Sequence, residues 1–213
     1  MVGAGLGAKL IAKGHDVRLG ARRADNEKAL AWAQACGERA SNGTFADAAA
    51  FGEVVFLCTN GSHALDALAL AGAEALGSKV LIDVTNALDF PQGGAPVALS
   101  GNTDSIAERI QAAFPRSKVV KALNTVNWRV MADANLVGSG DHHLFLSGND
   151  PEAKKAAAAL ITESFGWKHF IDLGDVTSAR GTEAYIAFWV RVRLAIGTSS
   201  FNVKIVSDTT ALP

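Results

Sequence analysis

Three glycines, Gly3, Gly5 and Gly7, alternate at the start of the chain. Glycine is the residue that lets a backbone approach a phosphate closely at the first turn of a helix. In a dinucleotide-binding unit that turn opens about three helical turns, a glycine stop and a second strand. Gly14 followed by His15-Asp16-Val17 supplies the stop and the strand entry. Eleven residues before Gly14 lies Gly3, which therefore takes the place of the third fingerprint glycine, with Gly5 and Gly7 inside the helix. Only Met1 and Val2 precede Gly3, so the strand and the two phosphate-loop glycines that should come first are not found. The expectation is that the natural protein carries about ten further residues ahead of Met1, the length of a short strand and its turn. Loss of that strand, central in the 3-2-1-4-5-6 order, would cut the sheet in two and leave ladder groups unpaired. A glycine-rich first helix in a complete protein is the alternative.

The second strand runs into Ala21-Arg22-Arg23, where an Asp or Glu would accept hydrogen bonds from an adenosine ribose. No acid stands there. Guanidinium groups match a 2′-phosphate in charge and in bidentate geometry, so Arg22 and Arg23 favour NADP over NAD. A solvated turn carrying two arginines is the plainer reading. Further on, Thr59, Asn60 and Gly61 end one expected strand, Asn86 ends another, and Asn124 and Thr125 end a third. All should reach the carboxyl edge of a parallel sheet, where ligands of such sheets bind. Small polar groups there can hydrogen-bond ribose, carboxamide or a second substrate, although each alone could be a cap or turn residue.

These residues need elements to position them. Short β-rich runs are expected at 16–20, 53–59, 79–86, 118–125, 142–148 and 169–173, and Ala-rich helical segments at 26–36, 63–76, 103–114, 152–165 and 182–196. Strand and helix alternate, which implies an α/β fold: a Rossmann-like, doubly wound, mostly parallel sheet with helices on both faces. The segment 90–103, with Pro91, Gly93, Gly94, Pro96 and Gly101, reads as a long crossover. A softer boundary near 148–151 divides a Rossmann domain, residues 1–150, from a small C-terminal helical and strand cap, residues 151–213.

Composition narrows the function. Lys plus Arg number 20 against 21 Asp plus Glu, which leaves no net field to hold a nucleic-acid backbone or an anionic membrane. Apolar runs break well short of a membrane span, and no leader-like segment opens the chain. Cys36 and Cys58 are the only cysteines and lie in apolar runs, as expected of a reduced cytoplasmic protein without a zinc site. His142 and His143 are adjacent in an expected strand and point to opposite faces, which argues against a joint metal site. Tyr185, Phe188, Trp189 and Val192 recur at helical spacing, as core residues do, and sometimes as a subunit interface or a flat cofactor wall. Arg191 and Arg193 beside that face could meet an acidic ligand tail or be surface charges.

An ordered set of short motifs, Gly14-His15-Asp16-Val17, Gly20-Ala21-Arg22-Arg23, Asp83-Val84-Thr85-Asn86 and Lys121-Ala122-Leu123-Asn124-Thr125, resembles the coenzyme F420-dependent NADP reductase family. The likeness continues through Ser147-Gly148-Asn149-Asp150, Asp172-Leu173-Gly174-Asp175 and Phe201-Asn202-Val203-Lys204, and so covers nearly the whole chain. Several pieces are also similar to a reductase domain of some membrane metalloreductases. The resemblance implies NADP and coenzyme F420 as co-substrates, with the deazaflavin against the nicotinamide in a cleft closed by the C-terminal segment. It also implies a homodimer and a phosphate contact for Arg22. Two positions depart from the pattern: Ala21 replaces a frequent serine, and Asn124 stands where characterised reductases have histidine, so the role of that imidazole is not inherited.

Hydride transfer between two bound rings needs proximity and stacking rather than a triad, and no catalytic residue is assigned. The site residues expected from sequence are thus Gly3, Arg22, Arg23, Thr59, Asn60, Gly61, Asn86, Asn124 and Thr125, all for cofactor binding, with no metal ligand. The expected activity is an oxidoreductase passing a hydride between NADP(H) and F420 or a similar small-molecule acceptor. A degenerate, non-enzymatic Rossmann module serving protein association is the competing class.

Overall fold

A computed structural model describes residues 2–89, 97–98 and 103–208. The chain opens with helix α1 (Val2–Ala12), whose end is closed by Gly14 at φ 93° with His15 N–H bonded back to the Leu10 carbonyl. There follow β1 (Val17–Ala21), α2 (Glu27–Cys36), β2 (Ala40–Thr44), α3 (Phe45–Phe51), β3 (Val54–Leu57), α4 (Ala64–Ala71), α5 (Ala73–Leu76) and β4 (Val80–Asp83). A small antiparallel pair, β5 (Leu88–Asp89) with β6 (Val97–Ala98), precedes α6 (Ile106–Ala113) and β7 (Lys118–Lys121). Then come α7 (Trp128–Ala132), β8 (His143–Leu146), α8 (Pro151–Phe165), β9 (His169–Asp172) and α9 (Ala179–Ile196).

All six expected strands are present, five of them shorter than their expected runs and the first displaced by one residue, and four expected helices appear unsplit, the one expected at 103–114 spanning only Ile106–Ala113. The fifth, at 63–76, is split into α4 and α5 by Gly72 at φ 86°, a left-handed position that a continuous helix does not contain. The expected crossover at 90–103 lies largely outside the described residues.

Strands β3, β4 and β7 form one parallel sheet, β1 and β2 another, and β8 and β9 a third. Lys121 and Ser147 exchange both backbone hydrogen bonds, so β8 continues the central sheet in the antiparallel sense. Alternation along β4 and β7 divides the core into two layers. Ile82 and Val120 face one cluster with Leu6, Val130, Ile161 and Trp167, while Leu81 and Val119 face the other with Leu57, Leu68 and Ile110. Each such fully buried aliphatic side chain contributes about 1.5–3 kcal/mol. Helices α1, α7 and α8 cover one face; α3, α4 and α6 cover the other.

Residue choice at the helix starts is local physics. Thr44 and Asp47 make a reciprocal capping box at α3, Ser105 caps α6 and Asp150 caps α8 with Pro151 in its first turn. The glycines of α1 serve close packing. A Cβ on Gly5 would lie 2.7 Å from the Trp128 ring, and one on Gly7 would lie 2.8 Å from Trp32. Trp32 also donates its indole N–H to the Ala4 carbonyl at 3.0 Å.

Candidate functional site

The carboxyl tips of β3, β4 and β7 converge on one polar cluster. After β3 the chain passes Cys58, Thr59 and Asn60 to Gly61, whose N–H donates to the Asn86 carbonyl at 3.0 Å. A Cβ on Gly61 would come within 2.4 Å of Ile106 and 2.6 Å of the Asn86–Ala87 backbone, so only glycine fits this approach. The Asn60 side chain accepts from Ser62 N–H at 3.0 Å and starts the turn that follows. Asn86 and Asn124 are paired reciprocally: Asn86 Nδ2 donates to the Asn124 carbonyl at 2.7 Å, and Asn124 Nδ2 donates to Asn86 Oδ1 at 3.0 Å. Asn124 Nδ2 also reaches the Thr182 carbonyl of α9 at 3.0 Å. Leu123, between β7 and Asn124, is fully buried at φ 64°, a left-handed conformation that a branched side chain seldom adopts.

Three threonine hydroxyls at this edge lack a partner among the described residues. The Oγ1 atoms of Thr59, Thr85 and Thr125 are all buried without a hydrogen bond among the described residues, one at the end of each strand of the central sheet. A buried hydroxyl with no acceptor or donor costs about 1–3 kcal/mol, so a row of three is a place prepared for hydrogen-bonding groups from elsewhere.

Beneath the row sits a buried charge cluster that the sequence reading did not identify as part of the site. The parallel register places Lys121 directly beside Asp83. Lys121 Nζ contacts Asp83 Oδ2 at 3.0 Å, the Thr85 carbonyl at 2.6 Å and Glu183 Oε1 at 2.8 Å, with all three side chains at most 1% exposed. Glu183 also accepts the Ile106 and Ala107 N–H groups at the start of α6, at 2.9 and 3.3 Å, where the helix dipole favours its charge. The available signals were a charge inside each of two apolar strands and a glutamate on an otherwise apolar helical stripe. Near this cluster, burial and the Asp83 charge push the Cys58 thiol up to about 12, so it remains protonated at neutral pH.

The other expected residues lie across a divide. Gly3 is in the first turn of α1, and a Cβ there would be 3.3 Å from Cys58, just past β3, and 3.5 Å from Leu19 in the middle of β1. Arg22 and Arg23 follow β1 on the smaller sheet, both exposed. Arg23 is held by Asp25 in a two-pronged pair at 2.9 and 2.5 Å, whereas Arg22 has no such partner among the described residues. Gly61, Asn86 and Asn124 are in direct contact, and Thr59 and Thr125 share their edge. The arginines belong to the neighbouring sheet, with Gly3 between.

The aromatic stripe of α9 is only half core. Ile186, Trp189 and Val190 are buried, and Trp189 stacks on Phe201 with ring centroids 5.3 Å apart, but Phe188 is 58% exposed. The two adjacent histidines diverge as alternation requires. His142 is buried edge-on to Trp167, with Nδ1 against Asn202 at 2.8 Å, and His143 Nδ1 accepts the Ile205 N–H at 3.1 Å.

Residues 1–87 match a family model described as NADP oxidoreductase, coenzyme F420-dependent. A solved structure from Arthrobacter sp. FB24, named as an F420-dependent NADP reductase, is 41% identical; the match covers 97% of this chain and 95% of that one, with a TM-score of 0.90. The chain belongs to the F420-dependent NADP reductase family. A curated family relative, the F420-dependent NADP reductase of Methanocaldococcus jannaschii, is 29% identical over 160 residues, 75% of this chain and 70% of that protein. The hypothetical protein SMa0349 of Sinorhizobium meliloti, at 22% identity and a TM-score of 0.67, shares the fold over 97% of this chain and 91% of its own. Membership of the F420-dependent NADP reductase family makes the protein an NADP-linked oxidoreductase, an enzyme rather than the association module weighed from sequence. Among the described residues no helix is long and apolar enough to cross a membrane.

Proposed function

We propose that this enzyme transfers a hydride between NADP(H) and the deazaflavin coenzyme F420 at the carboxyl edge of the central sheet. The observation that carries the reading is the row of partnerless buried hydroxyls, Thr59, Thr85 and Thr125, beside the Asn86–Asn124 pair and the close-approach glycine Gly61. These groups can satisfy, and be satisfied by, ribose hydroxyls and a carboxamide. Bound NADPH supplies the hydride and F420 the accepting carbon, with one solvent proton completing the two-electron reduction.

The protein's part is placement. Thr59, Asn60 and Gly61, with Asn86, Asn124 and Thr125, hold the coenzyme's reacting end, Gly3 lets α1 lie close to it, and Arg22 with Arg23 receives the 2′-phosphate. The buried Lys121–Asp83–Glu183 cluster fixes the tips of β4 and β7 against α9. In this reading residues 1–150 carry the NADP site and residues 151–213 complete its cleft, a reading supported by the bonds of Thr182 to Asn124 and of Glu183 to the start of α6. Exposed Phe188, Leu194 and Ile196 on α9 favour a homodimer, and the two free cysteines suit a cytoplasmic enzyme.

The test is a titration with NADPH followed by oxidised F420. Saturable NADPH binding and bleaching of the F420 visible band, stoichiometric with NADPH consumed, are expected. Saturable binding with no bleaching would overturn F420 as acceptor, and absence of NADPH binding would overturn the site. Light scattering at several concentrations should give twice the chain mass.

A further inference from the structure

The formal charges buried beneath the strand tips do not balance. Lys121 Nζ meets Asp83 Oδ2 at 3.0 Å and Glu183 Oε1 at 2.8 Å, one ammonium between two carboxylates, with none of the three side chains more than 1% exposed. No other cation reaches either acid among the described residues. Both carboxylates act only as acceptors: Asp83 takes the Thr85 N–H at 2.9 Å, and Glu183 takes the Ile106 and Ala107 N–H groups at 2.9 and 3.3 Å. A protonated acid would need an acceptor for its own hydrogen, and none of these partners is one, so both acids are charged. The backbone dipoles at the start of α6 offset part of the Glu183 charge but bring no full positive charge. One formal negative charge is thus in excess, in surroundings where water screens it little.

That excess lies next to the groups assigned to the coenzyme's reacting end. Lys121 Nζ donates to the Thr85 carbonyl at 2.6 Å, and Glu183 follows Thr182, whose carbonyl receives Asn124 Nδ2 at 3.0 Å. Thr85 and Thr125, the latter next to Asn124, carry two of the buried hydroxyls without a partner among the described residues. The same field reaches the tip of β3, where burial and then the Asp83 charge push the Cys58 thiol up to about 12. Hydride loss changes the charge at this place. The dihydronicotinamide ring of NADPH is neutral, and once a C4 hydrogen leaves with both electrons of its bond the ring is a cation, while the acceptor gains that hydride and one solvent proton. A fixed negative field favours the cationic ring over the neutral one. We propose that the Lys121–Asp83–Glu183 cluster is an electrostatic bias on the coenzyme: its unbalanced carboxylate strengthens NADP+ binding relative to NADPH and so promotes hydride donation. The three residues act through their field, without touching the ring. The inference rests on the proposal that the nicotinamide lies at these strand tips.

The test measures binding of each coenzyme form alone, with no acceptor present, so it does not depend on which molecule is reduced. Dissociation constants for NADP+ and for NADPH are obtained by calorimetric titration of the native protein and of Glu183→Gln, Asp83→Asn and Glu183→Asp. At an effective dielectric of about 20, a unit charge acting over about 10 Å shifts an equilibrium about tenfold. Glu183→Gln and Asp83→Asn each remove one negative charge and should weaken NADP+ relative to NADPH by about threefold or more. Glu183→Asp shortens the side chain but keeps the charge, and should hold the native ratio even where both affinities fall. A role confined to fixing α9 would weaken both forms by the same factor in every variant, and that result would overturn the proposal. A change of ratio in Glu183→Asp as large as that in Glu183→Gln would overturn it too. Should one neutralising variant fail to fold, the other carries the comparison. Binding of neither form by the native protein would overturn the coenzyme site itself and this inference with it, whereas native binding with an unmoved ratio in the variants overturns the inference alone.

Discussion

Lys121 of β7 and Glu183 of α9 meet at 2.8 Å with both side chains 1% exposed, and this pair is what ties the last long helix to the centre of the sheet. Lys121 also serves Asp83, so one ammonium answers two carboxylates, the N-terminus of α6 supplying the remainder. Replacing Lys121 by Met should therefore be costly, about 3–5 kcal/mol, because it leaves two buried acids without a counter-charge. Glu183→Gln keeps the shape and loses one charged partner, and should cost about 1–3 kcal/mol. Urea midpoints of the two variants check the order, and a Lys121→Met loss no larger than that of Glu183→Gln would contradict it.

The arginines after β1 should not be equivalent. Arg23 must give up its two-pronged contact with Asp25 to reach a phosphate, whereas Arg22 has no such tie among the described residues. Arg22→Ala should raise the NADPH dissociation constant about tenfold or more and leave that for NADH nearly unchanged, with a smaller effect from Arg23→Ala. Fluorescence titration with both coenzymes separates them. Asp25→Ala should strengthen NADPH binding if the contact competes.

Acid should loosen the junction between α6 and the start of α9. The Arg180 guanidinium, with Ser105, holds the Glu108 carboxyl below its ordinary value of 4.5. Folding thus favours the ionised form: the contribution is whole above that ordinary value and fades as pH falls through the lower folded one. Glu108→Gln should flatten the stability profile between about pH 5 and about pH 3 by no more than about 1 kcal/mol, since the pair is partly solvated. Denaturant midpoints across that range measure it, and a parallel offset at every pH would disprove the linkage.

Val80–Asp83 and Lys118–Lys121 were legible from their β-branched and aliphatic residues, despite a charged residue in each, because both their faces are buried. Ala40–Thr44 was missed, since Ser41, Asn42 and Gly43 carry no β preference and the strand exists only through its pairing with β1. The helix that follows it, Phe45–Phe51, went unseen with it, although Thr44 and Asp47 form the capping box that marks its start. Of the candidate site, sequence located the strand tips but not their internal bonding. The Asn86–Asn124 pair joins two loops distant along the chain and leaves no local trace, whereas Glu183 is marked only by its place on an otherwise apolar helical stripe.

Gly5 and Trp128 occupy a single shared volume, the indole filling the place a side chain on α1 would need, and Gly7 stands to Trp32 in the same relation. Such partners are bound to co-vary. Any lineage that acquires even a methyl group at position 5 must shrink the ring at 128 in step, so the history of this helix should be written in paired substitutions rather than single ones.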